Sequence, residues 1–95
     1  MVNDLKIGYY AMSTAGHDAG RWYIILGIDN GYGLLCDGKI RTLDRPKRKK
    51  LKHMQICKKL DPILEDKLVR GCITNEEIKR TLKLLQKEIH GKEVE

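Results

Sequence analysis

Three turn signals fall within the first 38 residues, too close together to leave room for a helix between them. The stretch Ser13-Thr14-Ala15-Gly16-His17-Asp18-Ala19-Gly20 separates Ile7-Gly8-Tyr9-Tyr10-Ala11-Met12 from Trp22-Tyr23-Ile24-Ile25-Leu26-Gly27-Ile28, two runs rich in aromatic and β-branched residues. Asp29-Asn30-Gly31 follows, and its Asn-Gly pair accepts positive φ at both central positions of a tight hairpin. Asp37-Gly38 repeats the signal between Tyr32-Gly33-Leu34-Leu35-Cys36 and Lys39-Ile40-Arg41-Thr42-Leu43. The pattern predicts four antiparallel strands in a meander. Lys52-His53-Met54-Gln55-Ile56-Cys57 is a fifth candidate, with Met54 and Ile56 on one face. Five short strands of this kind close into a small barrel that removes most exposed sheet edge. Between the fourth and fifth lies Asp44-Arg45-Pro46-Lys47-Arg48-Lys49-Lys50-Leu51, where Pro46 lacks a ladder donor, so the basic run is expected to be a loop on the barrel rim.

After Cys57 the period changes. Asp61-Pro62 sets a capping carboxylate before a first-turn proline and Gly71 supplies a stop, predicting a short helix over 62–70. Thr74-Asn75-Glu76-Glu77 has capping-box spacing, and Ile78, Leu82, Leu85 and Ile89 then form one apolar stripe. His90-Gly91 is expected to end this second helix, leaving a frayed tail from Lys92. The fold class expected is thus α+β: a five-stranded β-barrel over residues 1–59, then a helical extension over 60–95 packed on it. At 95 residues the chain has room for one modest core, burying roughly 60 to 65% of the surface of its unfolded form.

Charge is distributed unevenly. Residues 39–59 hold ten Lys or Arg and one acid, Asp44, a net of +9; the remainder has nine bases and twelve acids, a net of −3. A concentrated positive patch favours polyanions, because each phosphate it neutralises releases condensed counterions. A membrane partner is disfavoured, since the basic stretch has few bulky apolar residues to insert. No apolar run approaches the roughly 20 residues of a membrane span, and the opening residues lack a secretory pattern. With three scattered cysteines, Cys36, Cys57 and Cys72, these features lead us to expect a cytoplasmic protein with reduced thiols.

The segment from Lys6 to Tyr32 resembles the KOW motif of ribosomal proteins and transcription elongation factors. Gly8 opens the first strand, Gly16 begins the turn, and Gly20 precedes the apolar residues Trp22, Ile24 and Leu26. The longer stretch from Gly8 to Gln55, with its basic tract, is similar to small bacterial KOW-domain RNA-binding proteins, themselves similar to archaeal and eukaryotic large-subunit ribosomal proteins. It departs from many KOW motifs in having Tyr9, Tyr10 and Ala11 where Val and Lys are common. The resemblance implies an SH3-like barrel and ribosomal RNA or the ribosome as partner, within translation.

The candidate RNA-binding residues are His17, Arg21, Lys39, Arg41, Arg45, Lys47, Arg48, Lys49, Lys50, Lys52 and His53, with the 45–52 loop clamping phosphates and the 16–21 turn adding a second contact. Gly16 and Gly20 are read as structural turn positions needing positive φ, and Asp18 as organising that turn through its own backbone. Trp22 and one or two of the tyrosines are expected in the core; if a ring is exposed for base stacking, Tyr23 or Tyr10 is the choice. So dense a like-charge block also has a plain reading as a solvated run, and its Pro-Lys-Arg-Lys-Lys sequence passes as a nuclear localisation signal. Cysteine and histidine spacings offer no zinc pattern, and no nucleophile, base or phosphate loop is recognisable; no cofactor, small-molecule substrate or catalysis is expected. The alternative function is a protein-interaction module of a ribosomal or transcription complex; duplex DNA binding is the third.

Overall fold

The computed structural model describes residues 7–93, with side chains as far as Ile89. Lys6, where the family resemblance begins, and Val94 and Glu95 of the expected tail lie outside the described residues. The architecture is α+β. A five-stranded antiparallel sheet comprises β1 (Tyr10–Ser13), β2 (Trp22–Asp29), β3 (Tyr32–Cys36), β4 (Lys47–Lys50) and β5 (Met54–Cys57), and two helices follow, α1 (Pro62–Arg70) and α2 (Asn75–Glu93).

The strand order is β4-β3-β2-β1-β5, so β4 and β5 are the two edges, yet only the 3₁₀ turn Leu51–His53 separates them in sequence. Strands sit about 4.8 Å apart, which would hold the edges of a flat five-stranded sheet about 19 Å apart. One 3₁₀ turn advances about 6 Å. The sheet therefore curls, and Gly33 of β3 shows around which face: a Cβ there would lie 3.0 Å from Met54 of β5 and 3.4 Å from Leu51. A Cβ at 33 would require the end of the Met54 side chain to give by a few tenths of an ångström. No ladder joins β4 to β5 among the described residues, so the sheet is curled without being closed as a barrel.

Alternation along the strands gives this sheet two buried faces. The inner face carries Tyr9, Ala11, Tyr23, Ile25, Leu35 and Met54. On the outer face Tyr10, Ile24 and Cys36 pack against Leu64 of α1 and Ile78, Leu82 and Leu85 of α2, with Ile89 and Trp22 at the margin. Ile78, Leu82 and Leu85 are each at least 95% buried, and at about 1.5–3 kcal/mol apiece they contribute roughly 5–9 kcal/mol to holding α2 on the sheet. A β-bulge between Ile25 and Gly27 leaves Leu26 without a partner in β3 and returns Ile28 to the inner face, where strict alternation from Ile24 would have turned it outward.

The helix signals act as expected. Asp61 accepts the N–H groups of Ile63 and Leu64, Gly71 closes α1 in the left-handed conformation (φ 72°), and Thr74 and Glu77 exchange the two capping-box bonds. The expected stop at His90-Gly91 is not used, and α2 runs on to Glu93. Asn30 (φ 48°) and Gly31 (φ 80°) both take positive φ in the β2–β3 hairpin.

The fourth strand differs from expectation. Residues 39–43 form a loop, because the Asp37 carboxylate accepts the N–H groups of Lys39, Ile40 and Arg41 at 2.9, 3.1 and 2.8 Å and so removes the donors a strand would need. Asn75 Oδ1 accepts the Leu43 N–H at 2.8 Å and ties the loop to the start of α2. The basic run expected to be a rim loop instead supplies β4, paired with β3 from Tyr32↔Lys50 to Leu35↔Lys47. An edge strand suits it: Lys47 and Lys49 take one face and Arg48 and Lys50 the other, which separates like charges, and a lysine-rich edge discourages pairing with foreign strands. The first and fifth strands are also shorter than expected, since 7–9 precede β1 and Lys52 and His53 belong to the 3₁₀ turn.

Candidate nucleic-acid interface

At the mouth of the inner core sits Asp18, 7% exposed. It does not act through its backbone alone, as the sequence suggested. Its carboxylate accepts Ser13 Oγ at 2.8 Å, Tyr23 Oη at 2.8 Å, Lys47 Nζ at 2.8 Å and Lys49 Nζ at 3.3 Å. Burial by itself raises this carboxyl, but the bonds from Lys47, Tyr23, Ser13 and Lys49 outweigh it and hold the group well below the usual carboxylate range. Burial and Asp18 together push the Tyr23 hydroxyl well above its ordinary value, which keeps it a donor. The 14–20 turn is closed beneath this site by Gly20 N–H to Ser13 O (2.8 Å) and Ser13 N–H to Arg21 O (2.9 Å), with Gly16 (φ 90°) and Gly20 (φ 92°) both in left-handed backbone.

The basic residues named from sequence separate into distinct groups. Lys47 and Lys49 face inward onto Asp18, and Lys49 also donates to the Ala15 carbonyl at 2.9 Å. Arg48 faces outward, its guanidinium 3.9 Å above the Tyr32 ring and 3.7 Å from Asp29. Arg45, Lys50 and Lys52 are exposed around the β4 edge, and half-buried His53 follows, its carbonyl accepting the Thr14 N–H. His17 is exposed on the 14–20 turn and Arg41 on the 37–46 loop. Arg21 and Lys39 lie elsewhere, side by side in a groove against α2. Trp22 packs on the outer-face core as expected but is only half-buried and also lines that groove, whereas Tyr10 and Tyr23, the rings chosen for stacking, are 4% and 2% exposed and so cannot stack on a base.

The groove, of about 970 Å³, runs between the start of β2 and α2. Arg21, Lys39, Lys79, Arg80, Lys83 and Lys87 line it together with Trp22, Leu82, Asp37 and Glu76. Sequence reading missed the four α2 cations, although Lys79, Lys83 and Lys87 recur every four positions and so share a helix face. Tallying residues outside 39–59 as net −3 concealed them. The α2 carboxylates behind that tally are engaged: Glu76 with Lys79 at 3.4 Å, Glu77 with Lys67, and Glu88 with Lys59. Asp37, also at the groove, is occupied by three backbone N–H groups.

No protein-family model matches the chain, and no curated protein sequence matches it.

Proposed function

We propose that the protein is a non-enzymatic RNA-binding module of KOW type, its curled sheet an SH3-like barrel, acting on ribosomal RNA or the ribosome in the cytoplasm. One observation carries this reading. Arg21, Lys39, Arg41, Arg45, Lys50 and Lys52 are exposed cations with no carboxylate in ion-pair range among the described residues. These cations fall in two groups, Arg21 and Lys39 at the α2 groove and the others around the 37–46 loop and the β4 edge, and phosphates bound at either relieve like-charge repulsion while releasing counterions. Lys47 and Lys49 enter the reading differently from the sequence expectation: they brace the β4 edge through Asp18 and leave phosphate contact to their neighbours. The barrel reading is supported by the short turn that joins the two sheet edges and by the glycine-bounded 14–20 turn.

The test is fluorescence anisotropy of labelled ribosomal RNA fragments across a salt series. Six neutralised phosphates give a slope of log K against log salt of about −4 on single strands. Replacing Arg45, Lys50 and Lys52 together by Gln should reduce the slope by about 2. A flat salt response counts against RNA binding. Ribosome association that survives nuclease and high salt would point to a protein-interaction module instead.

A further inference from the structure

The groove between α2 and the start of β2 has chemistry that the β4 edge lacks. Its cations share the lining with Trp22, which is half-buried and packs on the outer-face core, so the ring's freedom is restricted while part of it remains accessible. A restricted ring offers a stacking surface with less ordering entropy left to lose. Along the rim, Lys79, Lys83 and Lys87 advance by about 6 Å at each step of four residues, the scale of one nucleotide of an unstacked strand. Six cations and two carboxylates, Asp37 and Glu76, line the groove; Glu76 pairs with Lys79, and the net charge is +4. An aromatic surface beside a cationic track is the arrangement that binds single strands, because every base has a π-face and every linkage a phosphate. A duplex hides its base faces within the stack and leaves Trp22 without a partner.

We propose that this groove holds a segment of single-stranded RNA, one base against Trp22 and its phosphates along Arg80, Lys83 and Lys87. The inference rests on the RNA-binding reading and locates the strand away from the basic tract that first suggested it. Trp22 is the only tryptophan in the chain, so its emission reports on the groove alone. The experiment titrates the full chain with ten-nucleotide oligo(U) and oligo(A), a ten-base-pair RNA duplex and a ten-residue poly-glutamate peptide. Trp22 emission and the anisotropy of labelled ligand are followed together, for the native sequence and for the variants Lys83→Gln/Lys87→Gln and Lys50→Gln/Lys52→Gln.

The single strands are expected to quench Trp22. Losing Lys83 and Lys87 should weaken their binding about 25-fold at 0.1 M salt and lower the salt slope by about 1.4, the effect of two phosphate contacts. The thermal midpoint should stay unchanged, since both side chains are exposed. If labelled RNA binds with no change in Trp22 emission and no loss in Lys83→Gln/Lys87→Gln, the groove assignment is overturned and the RNA reading stands. If the duplex binds as tightly and quenches equally, the single-strand assignment fails. Quenching by poly-glutamate without quenching by RNA replaces the ligand with an acidic peptide. Absence of RNA binding at every salt concentration removes the RNA reading itself.

Discussion

Replacing Asp18 by Asn tests the central electrostatic argument. The substitution keeps the shape and one acceptor oxygen, enough for Ser13 or Tyr23 but not both in the present geometry, and removes the charge that holds Lys47 and Lys49. Those lysine side chains are only 25% and 13% exposed, so their ammonium groups are left facing each other with partial access to water. Removing one partner of a buried pair costs about 3–5 kcal/mol; with this residual exposure we expect about 2–4 kcal/mol. A domain of this size unfolds at about 5–14 kcal/mol, and the loss corresponds to a fall in midpoint of roughly 10–25 °C. Urea unfolding followed by Trp22 emission at pH 7 measures it. The variant Asp18→Asn/Lys49→Met should recover part of the loss, because one unpaired ammonium is removed with its partner. The pH dependence has a definite sign. The folded protein holds this carboxyl below its unfolded value of about 3.9, so its stabilisation is complete above that value and declines as pH falls toward the folded pKa. Native and Asp18→Asn curves should therefore converge in acid. A loss below about 1 kcal/mol at pH 7, or parallel pH curves, would show that Asp18 does not hold the two lysines through its charge.

Two further perturbations follow. Gly38 has φ 75°, and a Cβ there would stand 2.2 Å from the Asn75 carbonyl oxygen, so Gly38→Ala should detach the 37–46 loop from α2 and cost more than the about 1–2 kcal/mol of left-handed backbone alone; Gly31→Ala, with nothing within 4 Å, should cost only the backbone amount in the same urea assay. Among the thiols, exposed Cys72 should react with a disulfide reagent within the native state and half-buried Cys57 more slowly. Cys36, fully buried and with its thiol pushed up by burial, should react only on unfolding, and rapid labelling of Cys36 in the native protein would contradict the outer-face packing.

The parts legible in the sequence are those decided within a few residues. Asp61-Pro62, Gly71 and the Thr74–Glu77 box specify helix ends by local bonds, and Asn30-Gly31 specifies a hairpin by its own φ angles. What stayed hidden depends on distant partners. Residues 39–43 alternate like a strand, yet Asp37 takes their donors and Asn75 reaches the loop from 32 positions away. Four consecutive cations look like a loop until Asp18, 29 and 31 positions earlier, supplies the inward-facing counter-charge that lets them pair as an edge. The candidate site divides in the same way: the basic tract is visible as a run, whereas the groove needs β2 and α2 brought together. A segment-by-segment charge tally cannot see that the α2 acids and bases point to different neighbours.

The order of elements along the chain has a consequence during synthesis. All strand residues have been made once Cys57 is added, but Leu64, Ile78, Leu82 and Leu85, the buried residues that cover Tyr10, Ile24 and Cys36 on the outer face, come later. A ribosome takes roughly 2–6 s to translate from Cys57 to Ile89, whereas a hairpin forms in about 1–10 μs. Strands that pair in this interval have most of their outer apolar side uncovered, and a chain halted before Ile78 lacks the α2 side chains that cover it. The interval of greatest aggregation risk lies between the making of β5 and the docking of α2, which ends it.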